Sequence, residues 1–455
     1  MRKLVPLLIM GMIVLSGLEA AYFSPIACSH TTTPASSDSY DMIIIAPHLF
    51  SQSLQPLIEH KNTVGIHTML LTTEDIYKNT DGRDEAEQIK HAIKDAKEIN
   101  NISYVLLVGG LKPFGLGWYV PVRYSLLDDG SGNSMFLTDL YYADLYKENG
   151  EFDDWDSNGN DVFAEWGIDT LDLTPDVAIG RLVCRTTREV DTIVEKIITY
   201  ETQASGNSWF NTMVAVGGDS FPDYPGYEGE ETCDVATSYM TDFTIQKLYT
   251  STGAMSGPED IITAVNQGCG FLLTRGKGGT DRIRMGLPED SELIAFQNKD
   301  VSQLANKNQY PICVLGECIH AKFDVCLRNI FRVLRNVSGY SWSDCLYGCI
   351  AWKLVQEKEA GMIAVLTNTN ICYGATGDAD HDGIPDDAEL YGGFLAVELF
   401  RLYSQENIST LGLLHQQALT NYASQFPVHT QQYHSKSIQE FILLGDPSLR
   451  IGGYP

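Results

Sequence analysis

Short, uninterrupted apolar runs separated by helix-length stretches leave this chain few folds to choose from. Asp41-Met-Ile-Ile-Ile-Ala46 carries no polar side chain after its first residue and ends at Pro47. A run of that kind is a strand covered on both faces, the usual condition of a parallel sheet. Residues 54–61 then read as a helix, 65–71 as a second strand, 84–100 as a helix and 104–109 as a third strand. Strand, helix, strand, helix, strand is the order of a parallel α/β sheet. A second set follows a helix over 189–201 and opens with a strand at 212–217. It continues with a helix from Glu231, strands at 270–274 and 310–315, a helix over 344–359, a strand at 361–365 and a long helical stretch from Gly392. A chain of 455 residues exceeds the roughly 250–300 at which single cores stop growing. The expected class is therefore α/β with two parallel-sheet subdomains, 40–205 and 206–455, divided near Ser205.

The first residues read as an address. Arg2 and Lys3 precede an apolar run from Leu4 to Leu18, with Ala20 and Ala21 after it. The run falls short of the roughly 20 residues that span a bilayer and has the order of a secretory signal, with an uncleaved anchor as the competing reading. Residues 1–20 are assigned to the signal and 21–39 to a Ser/Thr-rich linker, so the protein is expected to be secreted or at the cell surface. Fifty-nine Asp and Glu against 31 Lys and Arg leave a net charge of -28. That surplus argues against a nucleic-acid partner and against a polybasic membrane patch, since both need a positive face. The ten cysteines all lie beyond the expected cleavage point. They permit disulfides without assigning any, and several sit in apolar runs where a buried thiol is the simpler expectation.

Two acidic loops have the spacing of calcium ligands. In Asp378-Ala-Asp-His-Asp-Gly-Ile-Pro-Asp-Asp-Ala-Glu389, Asp378, Asp380 and Asp382 stand at positions 1, 3 and 5, and Gly383 provides the turn at 6. Ile384 offers its carbonyl at 7, Asp386 stands at 9, and Glu389 closes the shell at 12. Calcium takes six to eight oxygen ligands, which this register supplies. A second loop from Asp154 to Glu165 places Asp154, Asp156, Asn158, Gly159, the Asn160 carbonyl and Glu165 at positions 1, 3, 5, 6, 7 and 12, with Val162 at 9 where a water would serve. Ca2+ is the expected cofactor, tying down surface loops.

Several further stretches resemble the gingipain-type cysteine peptidases. They are Tyr40-Asp-Met-Ile-Ile-Ile-Ala-Pro47, Leu57-Ile-Glu-His-Lys-Asn-Thr-Val-Gly-Ile66, Thr138-Asp-Leu-Tyr-Tyr-Ala143, Pro175-Asp-Val-Ala-Ile-Gly-Arg181 with Tyr200-Glu201, and Gly445-Asp-Pro-Ser-Leu449. The resemblance implies two α/β subdomains, the second caspase-like, and a Cys/His dyad acting on protein or peptide substrates. Cys318, in Val314-Leu-Gly-Glu-Cys-Ile-His-Ala-Lys-Phe-Asp324, matches the family's nucleophile. The family's Gly-His-Gly turn corresponds to Gly276-Lys277-Gly278, so lysine stands where the imidazole is expected. A thiolate must attack and an acid must protonate the leaving amine, and histidine does both because its pKa lies near working pH. Lys277 could favour the thiolate by its charge but is a poor proton shuttle. Gly278 could donate its N–H, with that of Cys318, to an oxyanion. His320 is the nearest spare imidazole. Because the chain ends at Pro455, the adhesin or sorting domains often appended to such enzymes are not expected. The N-terminal pattern, the acidic loops and the resemblance together point to a secreted, calcium-stabilised cysteine endopeptidase, with a catalytically inactive pseudopeptidase acting as a calcium-dependent surface binding module as the alternative.

Overall fold

The computed structural model describes residues 39–130, 134–287, 291–325, 334 and 348–455. The expected signal and nearly all of the linker, Cys28, Cys326, Cys345 and the first part of the helix expected over 344–359 lie outside the described residues. The strands are β1 (Met42–Ala46), β2 (Thr68–Thr72), β3 (Tyr104–Val108), β4 (Arg123–Leu126), β5 (Met135–Thr138), β6 (Ala178–Leu182), β7 (Thr212–Gly217) and β8 (Thr244–Tyr249). They continue as β9 (Phe271–Arg275), β10 (Lys277–Gly279), β11 (Arg282–Leu287), β12 (Ser291–Gln297), β13 (Ile312–Leu315), β14 (Ala364–Asn368) and β15 (Phe441–Leu444). Ten of them form one sheet in the order β2-β1-β3-β6-β15-β14-β13-β9-β7-β8.

The two sets read from the sequence are both parallel, and a single seam joins them. β15 runs parallel to β6 but antiparallel to β14. The two sets therefore run in opposite directions within one continuous sheet. The expected division near Ser205 falls between the helix Thr187–Gln203 and β7, where the chain leaves the first set; β15, from the end of the chain, returns to it. β1, β6, β9, β13, β14 and β15 are buried along their whole length, as strands covered on both faces must be.

Local signals explain the helix starts. Asp84 accepts from the Glu87 N–H (2.8 Å) ahead of the helix Glu85–Asn100, and Thr186 accepts from the Glu189 N–H (3.2 Å) ahead of Thr187–Gln203. Each such cap satisfies a backbone donor the helix cannot, at about 1 kcal/mol. Strands β6, β8 and β15 escape a periodicity reading. In β6 the apolar run is broken by Gly180 and Arg181, yet Arg181 is fully buried, paired through two contacts of 2.7 Å with Asp139 and donating to the carbonyls of Val120 (3.0 Å) and Pro121 (3.1 Å).

The stretches that carry the family resemblance converge in space. Lys61 Nζ is fully buried and contacts both oxygens of Glu201 (2.8 and 2.9 Å) and Asp446 (2.7 Å). Burial alone would push this ammonium down, but Asp446 and Glu201 outweigh it and hold it above its ordinary value. Gly180 lies so close to Gly445 that a Cβ there would stand 2.4 Å from the Gly445 carbonyl oxygen. These contacts pin the seam strand β15 and the segment after it to the first set. Removing one member of a buried ion group leaves the others uncompensated, so Lys61→Ala is expected to cost about 3–5 kcal/mol. The urea midpoint measures it; a shift no larger than that of an exposed Lys→Ala control would show that the triad does not hold the seam.

Candidate active site

β9, β13 and β14 are parallel neighbours in register, with Leu315 opposite Thr274 on one side and Thr367 on the other. The segments that follow them emerge side by side: Gly276-Lys277-Gly278, Gly316-Glu317-Cys318 and Thr369 to Cys372. The carboxyl end of such a sheet is where α/β folds assemble their sites. Because β15 is antiparallel to β14, its leading end arrives at the same edge, and the Thr369 N–H donates to the Glu440 carbonyl (2.9 Å).

Cys318 is half-buried, three residues past β13. The next residue, Ile319, has φ 65°, a conformation that a β-branched residue adopts only under strain of about 1–3 kcal/mol. Its N–H donates to the Asn370 carbonyl (2.7 Å), which secures the turn. Cys372 faces Cys318 directly. The two sulfurs are 3.4 Å apart, and the Cys372 N–H donates to the Cys318 sulfur (3.3 Å). The Cys372 thiol contact lowers the Cys318 pKa most; the Cys372 N–H, Arg275 and Lys436 add to it against burial, bringing it down to about 7. The same contact, with burial, pushes the Cys372 thiol well up. The contact thus favours the ionised form at Cys318 and the protonated form at Cys372.

Around this pair lies a buried polar cluster. Lys436 contacts Asp129 at 2.5 Å, and Tyr373 donates to the same carboxylate. Glu440 is fully buried, with no hydrogen-bond partner for either carboxyl oxygen among the described residues. Burial, then the charges of Cys318 and Asp129, push its pKa well up against the pull of Lys436. Arg275, at the end of β9, is buried and donates to the Gly316 carbonyl and to Asp387. Asp387 also accepts from Thr232 (2.6 Å) and lies within the acidic loop 378–389, so that loop is tied to the backbone leading into Cys318.

The residues expected from the sequence take different places. Gly278 stands against Cys318: a Cβ at 278 would fall 1.9 Å from the Cys318 carbonyl oxygen and 2.7 Å from its nitrogen, so only glycine fits. Lys277 starts β10 of the β10-β11-β12 hairpin, and its Nζ pairs with Glu292 (3.2 Å), which also holds Arg284 (3.0 Å). The largest cationic contributions at Cys318 come from Arg275 and Lys436, not from Lys277. His320 is sealed: its Nε2 lies 3.1 Å from the Arg282 carbonyl and its Nδ1 3.5 Å from Glu317, and burial lowers its pKa to about 4. His320 therefore turns away from Cys318 rather than serving it as a base. No hydrogen bond joins Cys318 to an imidazole among the described residues.

The two acidic loops differ. Among the described residues, Asp378, Asp380 and Asp382 alone bring three ligand atoms within 4.8 Å of one another. Asp378 Oδ1 is buried without a hydrogen-bond partner, and Gly383 makes the turn at φ 91°. Asp386 accepts from the Ala379 N–H (3.2 Å). Burial and then Asp382, Asp380, Asp386 and Asp378 push the Glu389 carboxyl up, the signature of acids crowded without a counter-charge. In the other loop the counter-charge is a side chain. Arg83 contacts Asp156 (2.7 Å) and Asp154 (3.2 Å), Asp156 also accepts from the Asn160 and Asp161 N–H groups (3.0 and 2.9 Å), and the Asn160 amide donates to Glu165 (3.0 Å). Asn158 likewise accepts from the Asn160 N–H (3.0 Å).

Cys318 stands at the carboxyl end of one continuous, mostly parallel α/β sheet, and that architecture aligns with a caspase-like fold. The model of peptidase family C25 matches residues 35–452, and the chain belongs to that family. It is 22% identical over 287 residues to gingipain R2 of Porphyromonas gingivalis, covering 62% of this chain and 32% of the relative. Gingipain R1 of the same organism matches at 22% identity, with 24% of its length covered. The chain thus spans about a third or less of the curated relatives it matches. Among solved structures, the Arg-specific cysteine proteinase gingipain R aligns with a TM-score of 0.62 at 19% identity, over 92% of this chain and 80% of that one. The complex of the Porphyromonas gingivalis RgpB pro- and mature domains aligns with a TM-score of 0.61 at 19% identity, over 90% and 79%.

Sequence reasoning did not single out Cys372, Arg275, Asp387 or Glu440. Cys372 carried one usable signal, since it follows the apolar run after the one that ends at the nucleophile. Only the strand order makes those two runs neighbours.

Proposed function

We propose that this chain is a secreted cysteine endopeptidase acting on proteins or peptides through Cys318, with the loop 378–389 holding calcium. The observation that carries the reading is the pair Cys318 and Cys372, which sets a half-buried cysteine of lowered pKa beside a strained turn. The Cys318 thiolate attacks the scissile carbonyl, and the N–H groups of Gly278 and Cys318, whose backbones lie against each other, are the candidates to receive the developing oxyanion. Glu440, whose main-chain carbonyl is held at the same edge by the Thr369 N–H, is the candidate donor of a proton to the leaving amine and, once ionised, the candidate acceptor from the water that releases the acyl group. That assigns to Glu440 the proton transfers an imidazole performs elsewhere. Asp378, Asp380, Asp382, the Ile384 carbonyl, Asp386 and Glu389 would hold the calcium ion, whose contribution is charge that fixes the loop and, through Asp387, Arg275. The loop 154–165 supports calcium less, because Arg83 already supplies its positive charge. Secretion rests on the charged and apolar pattern of residues 2–21.

The contrary reading, a pseudopeptidase that binds without cleaving, draws on the lysine at 277 and the sealed His320. Two substitutions separate the readings. Glu440→Gln is expected to lower kcat by about 10²-fold or more, with Cys318 still open to alkylation, since general acid catalysis contributes about 10²–10⁴-fold. Lys277→His is expected to raise turnover by supplying an imidazole next to Gly278. Turnover absent in the unsubstituted chain and restored by Lys277→His would establish the pseudopeptidase; turnover unaffected by Glu440→Gln would remove Glu440 from the mechanism.

A further inference from the structure

We propose that Cys318 and Cys372 form a reversible disulfide that silences the nucleophile under oxidising conditions. The inference rests on the reading of Cys318 as a reactive thiolate, but its chemistry is seen at the sulfurs and needs no hydrolysis.

Position and access both point to this pair. The sulfurs are 3.4 Å apart in the reduced protein, and a disulfide of about 2.05 Å needs them to close by roughly 1.4 Å, within reach of side-chain rotation. They hang from the ends of β13 and β14, parallel neighbours in one sheet, so neither drifts away from the other. Cys184, Cys233, Cys269, Cys313 and Cys349 are buried, whereas Cys318 and Cys372 are both half-buried. Among the described cysteines, a small oxidant meets these two first. The geometry assigns the roles: Cys318, the proposed nucleophile with the lowered pKa, meets the oxidant, and Cys372, its sulfur 3.4 Å away, is the resolving group.

With a peroxide as oxidant the steps balance. The Cys318 thiolate attacks one peroxide oxygen, an S–O bond forms, the O–O bond breaks, and hydroxide leaves to take up a proton as water. The Cys372 sulfur then attacks the Cys318 sulfur. The S–S bond forms, the S–O bond breaks, and the hydroxyl departs as water with the Cys372 proton. Two electrons pass from the two sulfurs to the peroxide, which is reduced to water. Peptide hydrolysis stops because the attacking thiolate no longer exists, and an external dithiol restores it by exchange. A second benefit follows from the same geometry: the disulfide protects Cys318 from oxidation to the sulfinic acid, which a dithiol does not reverse.

The full chain would be treated with one equivalent of hydrogen peroxide, its remaining thiols blocked with N-ethylmaleimide, and its peptides mapped by mass spectrometry. The expected product joins the peptides of Cys318 and Cys372, with loss of Cys318 alkylation by iodoacetamide that dithiothreitol reverses. In Cys372→Ser, scored against its own untreated sample, excess peroxide followed by dithiothreitol should leave Cys318 alkylation at least about tenfold below the wild-type recovery, because no resolving thiol intercepts the sulfenic acid. Cys318 joined to a different cysteine, Cys318 oxidised without a partner, or equal recovery in Cys372→Ser would each overturn the lock. If the crosslink forms but Cys318→Ala does not affect hydrolysis, the lock stands and the peptidase reading fails.

Discussion

Cys318→Ala is expected to lower kcat for peptide hydrolysis by on the order of 10³-fold or more, with the melting temperature nearly unchanged. The size follows from the division of labour at the site. Under the proposed mechanism Cys318 forms the acyl bond; the Cys372 thiol pKa is pushed well up and the remaining described cysteines are buried. A substitution that removes the sulfur removes covalent catalysis altogether, whereas loss of a proton donor leaves the thiolate in place. Stability should hold because the side chain is only half-buried and its backbone is fixed by Gly278 on one side and by the Ile319 to Asn370 hydrogen bond on the other. Retained hydrolysis in a folded Cys318→Ala protein would place the nucleophile elsewhere.

Calcium should raise the melting temperature by about 3 °C when present at a hundredfold excess over its dissociation constant. Binding at that excess adds about 2.7 kcal/mol, spread over an unfolding entropy of about 2.1 cal/mol/K per residue. The crowded carboxylates of loop 378–389 supply the driving force, and they reverse the sign of an otherwise simple mutation. Without a cation, Asp382→Asn relieves repulsion and should stabilise; with calcium it removes a ligand and should destabilise. The pH dependence follows the same logic. The folded Glu389 pKa is raised above its ordinary 4.5, so the cation-free protein gains stability as pH falls through the folded value toward 4.5 and loses it as pH rises. Calcium, competing with the proton, should flatten that trend. Because Asp387 in the same loop holds Arg275, which in turn binds the Gly316 carbonyl, a chelator should also slow alkylation of Cys318. A melt unchanged by chelator would exclude the loop as a structural calcium site.

Much of the fold was legible because buried parallel strands leave an unmistakable record. β1, β3, β7, β9 and β13 are apolar runs with few choices open to them. β6 and β15 were not, because one carries a buried arginine satisfied by Asp139 and backbone carbonyls, and the other is four residues long and owes its place to its neighbours. The stretches that signalled the family proved to be folding ties: Lys61, Glu201 and Asp446 in one buried cluster, Gly180 against Gly445. They report architecture, which is why they identify the family without locating the chemistry. Cys318 and Gly278 were nominated by the family resemblance, and the structure sets them against each other. Cys372 and Glu440 were hidden because their relation to Cys318 depends on strand order and on the antiparallel seam, and neither has a sequence spacing. The loop 154–165 satisfied a spacing pattern, but position 83, far upstream, supplies its positive charge.

The most direct test of a live thiolate at position 318 is to follow labelling of the folded, reduced protein by a peptidyl thiol-directed electrophile across pH, with the adduct mapped by mass spectrometry. The adduct should sit on Cys318, and its rate should climb through pH of about 7, well below the ordinary thiol range, because Cys372 and the cations around it hold the thiolate. An adduct on another cysteine, or a Cys318 rate that rises only near pH 9, would contradict it.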